Sequence, residues 1–345
     1  MKKRPLVFII IFIVLMLFAT LMRNQSQPTV IPYQKHTGTV FHTIYHITYQ
    51  SDSDYHAEFQ KLFNEFDGSM SMFNDTSLIT RINQNDTTAR ADKYFSTVFN
   101  KARYVSERTD GAFDMTVAPL VNYWGFGFKP KESDNEGNLH AIDSILQFVG
   151  YRTVSIDSTG RIIKSDPRTI LDASSIAKGY MSDVIADFLS EKGVCNYMVE
   201  IGGEIALSGF NPRGKEWTVG ISKPIADSLQ QEGDFQGYLH LSCGGLATSG
   251  NYRNFYVNGG KRYAHTIDPH TGRPIQTDVL SATVLAPDCM TADAFATAFM
   301  VIGKEKALEL LAQEPDVHGY LIVPSSSDST QLEVVYSEGF EKYIK

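Results

Sequence analysis

Three cysteines in 345 residues, none in a CxxC pair, leave no disulfide framework and no thiolate metal site to expect. Cys195, Cys243 and Cys289 read instead as small hydrophobes. Past the first few residues there is no run of Lys or Arg, and the formal net charge is −8, which argues against a nucleic-acid surface. There is no Walker pattern, no GxGxxG, no internal repeat and no low-complexity tract beyond Ser325–Ser329. Long apolar runs are also missing, with one exception at the very start.

That exception is Leu6–Met22, seventeen uncharged residues with Thr20 the polar member, preceded by Lys2, Lys3 and Arg4. Roughly 17–25 apolar residues cross a bilayer as a helix. The positive flank keeps the N-terminus in the cytoplasm and puts the rest of the chain outside it. Phe18-Ala19-Thr20 is a poor cleavage site, so an uncleaved anchor is expected, with a cleaved signal segment as the alternative. No cysteine follows the run, which argues against a lipoprotein. Residues 1–27 are therefore expected to be the anchor, and 28–345 one exported domain reached by the polar tether Asn24–Pro32.

Within the domain, 43% hydrophobic and 20% charged residues supply an ample core. A strand is expected over Thr39–Gln50, helices over Asp54–Phe66 and Ala91–Thr109, and a polar loop over Asp67–Asn83. Short strands follow at Thr153–Ile156 and Arg161–Ile163, then an amphipathic helix over Ser174–Lys192. The second half alternates strands with glycine turns before helices at Thr291–Ile302 and Lys304–Gln313 and two closing strands. Lys129–Asn138 reads as a charged surface loop. The pattern is α+β with a mostly antiparallel sheet and no linker.

Four stretches carry the polar groups on which chemistry could be built. Tyr263–Pro274 sets His265 and Asp268 three apart at a strand end, beside turn residues Pro269, Gly272 and Pro274. A histidine before such a turn is either a satisfied structural residue or a catalytic one. In Thr291–Gly303, apolar nearly all round, Asp293 and Thr297 share a face one turn apart. Asp293 is either a carboxylate at the helix N-terminus or a ligand for a hard cation, since an unpaired buried charge is costly. Leu171–Tyr180 places Asp172 at a strand end, Ser174 and Ser175 where a helix N-cap falls, and Lys178 in the first turn. A lysine there opposes the helix dipole, so it is either solvated or held by an anion or acidic neighbour. Gly111–Gly127 packs Phe113, Tyr123, Trp124 and Phe126 around Asp114, as core or as a clamp on a planar ligand. Phe73 sits in the polar loop, and Gly202-Gly203-Glu204 and Thr248-Ser249-Gly250 read as tight turns.

In their order along the chain these segments resemble the ApbE family of FAD:protein FMN transferases. The matching stretches are SMFNDTSLITRIN, GAFDMTVAPLVNYWGFG, LDASSIAKGYMSD, VEIGGEIALSG, ATSGNY, YAHTIDPHTGRPI and ADAFATAFMVIG, within roughly residues 36–310. The resemblance implies a single T-fold-like domain that transfers the FMN half of FAD to a Ser or Thr of a partner protein, with Mg²⁺ required and AMP released. It implies Asp293, Thr297 and Ser175 as metal ligands, and Phe41, Phe73, Ala112, Phe113, Asp114, Asp172, Lys178 and Ile267 as the FAD site. His265 becomes the catalytic base, and Asp268 either orients it or joins the metal shell. A membrane-associated redox subunit in the same extracytoplasmic compartment of a bacterial cell is the implied acceptor. His42 stands where the family's strand usually has Gly, and Phe73 where it often has Tyr. The physics agrees with such a role: a negatively charged protein needs a local cation to hold a pyrophosphate, and a histidine with an ordinary pKa of ~6.5 suits deprotonation of a hydroxyl. FAD hydrolysis to FMN and AMP, or flavin binding without turnover, are the alternatives.

Overall fold

A computed structural model describes residues 16, 31–127, 138–224, 235–251, 255–258, 261–328 and 331–344. Apart from Met16, the expected anchor lies outside these residues, as does the expected loop Lys129–Asn138 apart from Asn138. Among the described residues no helix is long and apolar enough to cross a membrane.

The frame is an eight-stranded sheet whose strands lie side by side in chain order. They are β1 (Tyr33–Val40), β2 (Thr43–Gln50), β3 (Tyr197–Ile201), β4 (Glu204–Ser208), β5 (Cys243–Gly250), β6 (Ser281–Ala286), β7 (His318–Pro324) and β8 (Leu332–Tyr336). Every neighbouring pair is antiparallel. Alternation along the strands divides the core in two. On one face Ile47, Val199, Ala206, Ala247 and Val284 pack beneath the helices. These include α1 (His56–Met70), α2 (Lys93–Arg108), α3 (Ala177–Glu191), α4 (Cys289–Ile302) and α5 (Lys304–Leu311). On the other face Ile205, Leu207, Leu246 and Ile322 meet a separate hairpin, Trp217–Ser222 with Phe235–Leu241.

Helix α4 is buried on nearly every side because its apolar residues leave no polar face. Its N-terminus is capped by Asp288, whose carboxylate accepts from the N–H of Thr291 at 2.7 Å. Asp183 of α3 accepts from the next free N–H groups, those of Cys289 and Met290, each at 2.8 Å. Helix α3 crosses α4 so closely that a Cβ on Gly179 would lie 2.5 Å from the Cys289 carbonyl and 2.8 Å from Asp293 Cβ.

The structure corrects several boundaries. The expected strand Thr39–Gln50 is a hairpin, since Val40 pairs with Thr43 across a two-residue turn at Phe41 and His42. Both turn residues have positive φ, 49° and 60°, a conformation that usually selects Gly or Asn. The polar loop after α1 contains a short helix, Leu78–Asn83, capped by Ser77. Helix α3 starts at Ala177 rather than Ser174, so neither serine caps it. Thr248–Gly250 continues strand β5 instead of turning.

Candidate active site

The β1–β2 and β3–β4 turns lie at one end of the sheet, and a cavity of about 570 Å³ opens there between the sheet, α3, α4 and the loops. Phe41 forms part of its wall, tilted on Phe66 with ring centroids 5.6 Å apart. Phe73 lies at the rim, 66% exposed, with His42 edge-on at 4.9 Å. The loop before Ala118 contributes Ala112, Phe113 and Asp114. Asp114 is buried and already engaged, accepting from Thr116 N–H at 2.7 Å, Thr116 Oγ1 at 2.6 Å and Tyr151 N–H at 2.7 Å. Burial raises its pKa, with those hydrogen bonds pulling the other way.

The segment before α3 brings Asp172, Ser175 and Lys178 to the same cavity. Asn83 fixes that segment by bonding both polar atoms of the Leu171 backbone, at 2.9 and 2.8 Å. Asp172 accepts from Ser174 N–H at 2.8 Å, and burial raises its pKa.

Lys178 is the charged centre. Its ammonium donates to Glu204 Oε1, and the Asp293 carboxylate on α4 acts on it through space. Burial opposes the charged lysine, but the Asp293 and Glu204 carboxylates more than offset this and raise its pKa. Burial likewise pushes both carboxyls up, while Lys178 pulls them back. Asp293 is 3% exposed and accepts one hydrogen bond, from Gly179 N–H at 3.1 Å. Because Asp288 and Asp183 cap α4, Asp293 is an interior residue of the helix facing the cavity and not its cap. Thr297, one turn on, meets Ser249 Oγ at 3.2 Å.

This donor set fits a hard divalent ion. Asp293, Thr297, Ser175 and Ser249 supply oxygen, the atom Mg²⁺ prefers. Glu204, which holds Lys178 through Oε1, keeps a buried Oε2 with no hydrogen-bond partner. Two carboxylates against one ammonium leave room for another positive charge. Among the described residues no group of three or more His, Cys, Asp or Glu is arranged as a metal cluster.

His265 and Ile267 also line the cavity. The stretch that carries them is pinned to the aromatic loop: Trp124 Nε1 donates to the Gly272 carbonyl at 2.7 Å, and Trp124 stacks on Tyr263 at 5.7 Å. The Phe126 ring lies 6.4 Å from that of His265. Asp268 departs from expectation. It is not among the cavity residues, and its carboxylate accepts from His270 N–H and Thr271 Oγ1, each at 2.9 Å, with His270 Nδ1 at 3.2 Å. It holds the turn and orients His270, whose Nε2–H donates to the Asp110 carbonyl at 2.7 Å, rather than His265.

The cavity thus collects every expected site residue except Asp268, from segments scattered over most of the chain. It also contains Glu204 and Ser249, which the sequence placed in tight turns without giving their side chains a role. A charged residue placed directly after Gly202-Gly203 and before the apolar Ile205 was the available signal for Glu204.

Comparison with known proteins shows which family and solved structures the chain resembles. The model of the ApbE family matches residues 41–321. A FAD:protein FMN transferase of Haemophilus influenzae is 36% identical over 300 residues, covering 83% of this chain and 85% of the relative. One from Vibrio cholerae is 38% identical over 282 residues, covering 79% and 82%. Among solved structures, the flavin transferase ApbE from Vibrio cholerae superposes with a TM-score of 0.80 at 34% identity, over 90% of this chain and 99% of that one. The apo flavinyl transferase ApbE of Pseudomonas stutzeri also gives 0.80, at 28% identity, over 92% and 98%.

Proposed function

The chain belongs to the ApbE family, and on that premise we propose that it is a FAD:protein FMN transferase, moving the FMN half of FAD onto a hydroxyl of a partner protein. What carries the reading is one cavity lined together by a lysine paired with Glu204, a helix-borne Asp–Thr pair and a histidine from a separate loop. Its volume, about 570 Å³, is within the usual range of a cofactor-sized pocket.

In the reaction we envisage, FAD lies with its pyrophosphate towards Lys178 and a ring against Phe41 and the rim residue Phe73. Ala112, Phe113, Asp114, Asp172 and Ile267 shape the remainder of the FAD site. His265 accepts the proton of a Ser or Thr hydroxyl on the acceptor. The freed oxygen attacks the phosphorus of the FMN half, and the bond from that phosphorus to the bridging oxygen breaks. The bridging oxygen leaves with AMP, so the acceptor gains a phosphoester-linked FMN. Asp293, Thr297 and Ser175 would hold Mg²⁺, which supplies charge neutralisation at the pyrophosphate when bound. Lys178 supports the same negative charge as it shifts onto the leaving group.

The apolar run Leu6–Met22 then tethers the domain to the outer face of a bacterial inner membrane, close to a membrane-associated redox subunit as acceptor. The test is to incubate the full chain in detergent with FAD, Mg²⁺ and a candidate acceptor, and to follow AMP and acceptor mass together. Covalent FMN on the acceptor with AMP released in step is expected, and His265→Ala should lower the rate by about 10²–10⁴-fold. Transfer unchanged in that variant removes His265 from the mechanism. AMP without labelled acceptor makes the protein a FAD hydrolase, and FAD retained without AMP makes it a carrier.

A further inference from the structure

Two buried carboxylates face Lys178, yet only one holds it directly. The ammonium donates to Glu204 Oε1, whereas Asp293 acts on it through space and takes its hydrogen bond from Gly179 N–H at 3.1 Å. Glu204 is well placed for this grip. It begins β4 straight after a turn whose two glycines have φ of 66° and 99°, its backbone carbonyl accepts from Ser182 Oγ at 3.0 Å, and its side chain is 7% exposed. Its second oxygen has no hydrogen-bond partner, and among the described residues Lys178 is the cation paired with this carboxylate.

Resting on the cation-assisted transfer proposed above, we infer that Glu204 is a positioning residue: it keeps Lys178 off Asp293 and so leaves the Asp293 carboxylate open for the divalent ion. Without the Glu204 charge, Lys178 has one buried carboxylate left to pair with, and its side chain, 31% exposed, has room to turn towards it. A direct Lys178–Asp293 pair would neutralise the carboxylate, and the entering ion would have to break it. The charge count points the same way. Counted with all three groups ionised, the trio carries one net negative charge, two carboxylates less one ammonium, and Glu204→Gln brings that formal count to zero.

The experiment measures Mn²⁺ binding to the full chain in detergent by electron paramagnetic resonance, without FAD. Wild type, Glu204→Gln and the double variant Lys178→Met with Glu204→Gln are compared. Glu204→Gln should weaken binding by about tenfold or more, the scale of removing one nearby charge at an effective dielectric of ~20. The double variant should regain most of that affinity, because Asp293 is then free again and the net charge is restored. A residue needed only for folding would not be rescued by a second substitution. Glu204→Gln binding like wild type overturns the inference, as does a double variant no better than the single one. A wild type that flavinylates its acceptor while the variants behave in either of those ways removes this inference alone. A wild type that neither binds Mn²⁺ nor releases AMP removes the reading of the cavity with it.

Discussion

Phe73 is the side chain whose environment is hardest to explain by folding. It is 66% exposed at the rim of the cavity, and its near neighbour His42 sits in a strained turn. Left-handed backbone at non-glycine residues costs on the order of 1–2 kcal/mol each and is often retained where a ligand is gripped. Phe73→Ala should therefore leave the thermal midpoint almost unchanged while raising KM for FAD. The loss of an aromatic contact worth about 0.5–1.5 kcal/mol corresponds to roughly two- to tenfold. Phe73→Tyr should restore KM, and a Phe73→Ala variant with wild-type KM would take the rim out of the FAD site. Asp86 shows a residue acting on stability instead. Hydrogen bonds from Thr88, with Arg81 beside it, lower its pKa to about 2, below the usual carboxylate range. Since the folded pKa is depressed, the stabilisation is present above the unfolded value of ~4 and is lost as pH falls through the folded one. Asp86→Asn should lower the thermal midpoint at pH 7, and the gap to wild type should close between about pH 4 and pH 2. A gap that persists unchanged at pH 2 would show that the ionised carboxylate is not what stabilises this turn.

At the scale of elements, the crossing of α3 on α4 sets the site. Gly179 permits the approach that brings its N–H to Asp293 and places Lys178 one residue earlier. Alanine is the better helix former, so Gly179→Ala would stabilise an isolated helix by about 1 kcal/mol. Here the added Cβ meets backbone at 2.5 Å, so the helices must part. Overpacking of this kind costs about 1–3 kcal/mol, and Mg²⁺-dependent AMP release should fall more steeply than the thermal midpoint. A stabler protein with unchanged activity would show that the crossing tolerates separation. The same elements show what the sequence made legible. Continuous apolar character identified α4, and alternating strands with glycine turns identified the antiparallel sheet, because each pattern follows from burial. The Phe41–His42 turn was hidden because neither residue type prefers positive φ, so a hairpin read as one strand. Asp293 stayed ambiguous because its meaning depends on where α4 begins, and the cap comes partly from Asp183, over a hundred residues earlier in the chain. Glu204 was obscured for a related reason: its partner Lys178 lies on another element, and no local periodicity records that pairing.

For the whole molecule, the question is what the first 27 residues add to a domain whose sheet and helices already assemble the cavity. Strands in chain order, with a covered face on either side, draw the cavity's lining from between Phe41 and Val301, all later in the sequence than the apolar run. The tether proposed for those residues is therefore expected to act on encounter and not on chemistry. Confining enzyme and acceptor to one membrane raises their effective concentration, an advantage that vanishes when the acceptor is a free soluble fragment. Removing residues 1–27 should leave kcat and KM for FAD within about twofold when a soluble acceptor fragment is used. The same truncation should slow flavinylation of a membrane-embedded acceptor in vesicles by a larger factor, and raising the soluble enzyme concentration should recover the rate. Loss of activity on the soluble fragment would mean that the N-terminal segment takes part in the fold or the site. Equal rates on the embedded acceptor with and without residues 1–27 would mean that tethering gives no advantage, and the membrane role proposed for that segment would have to be abandoned.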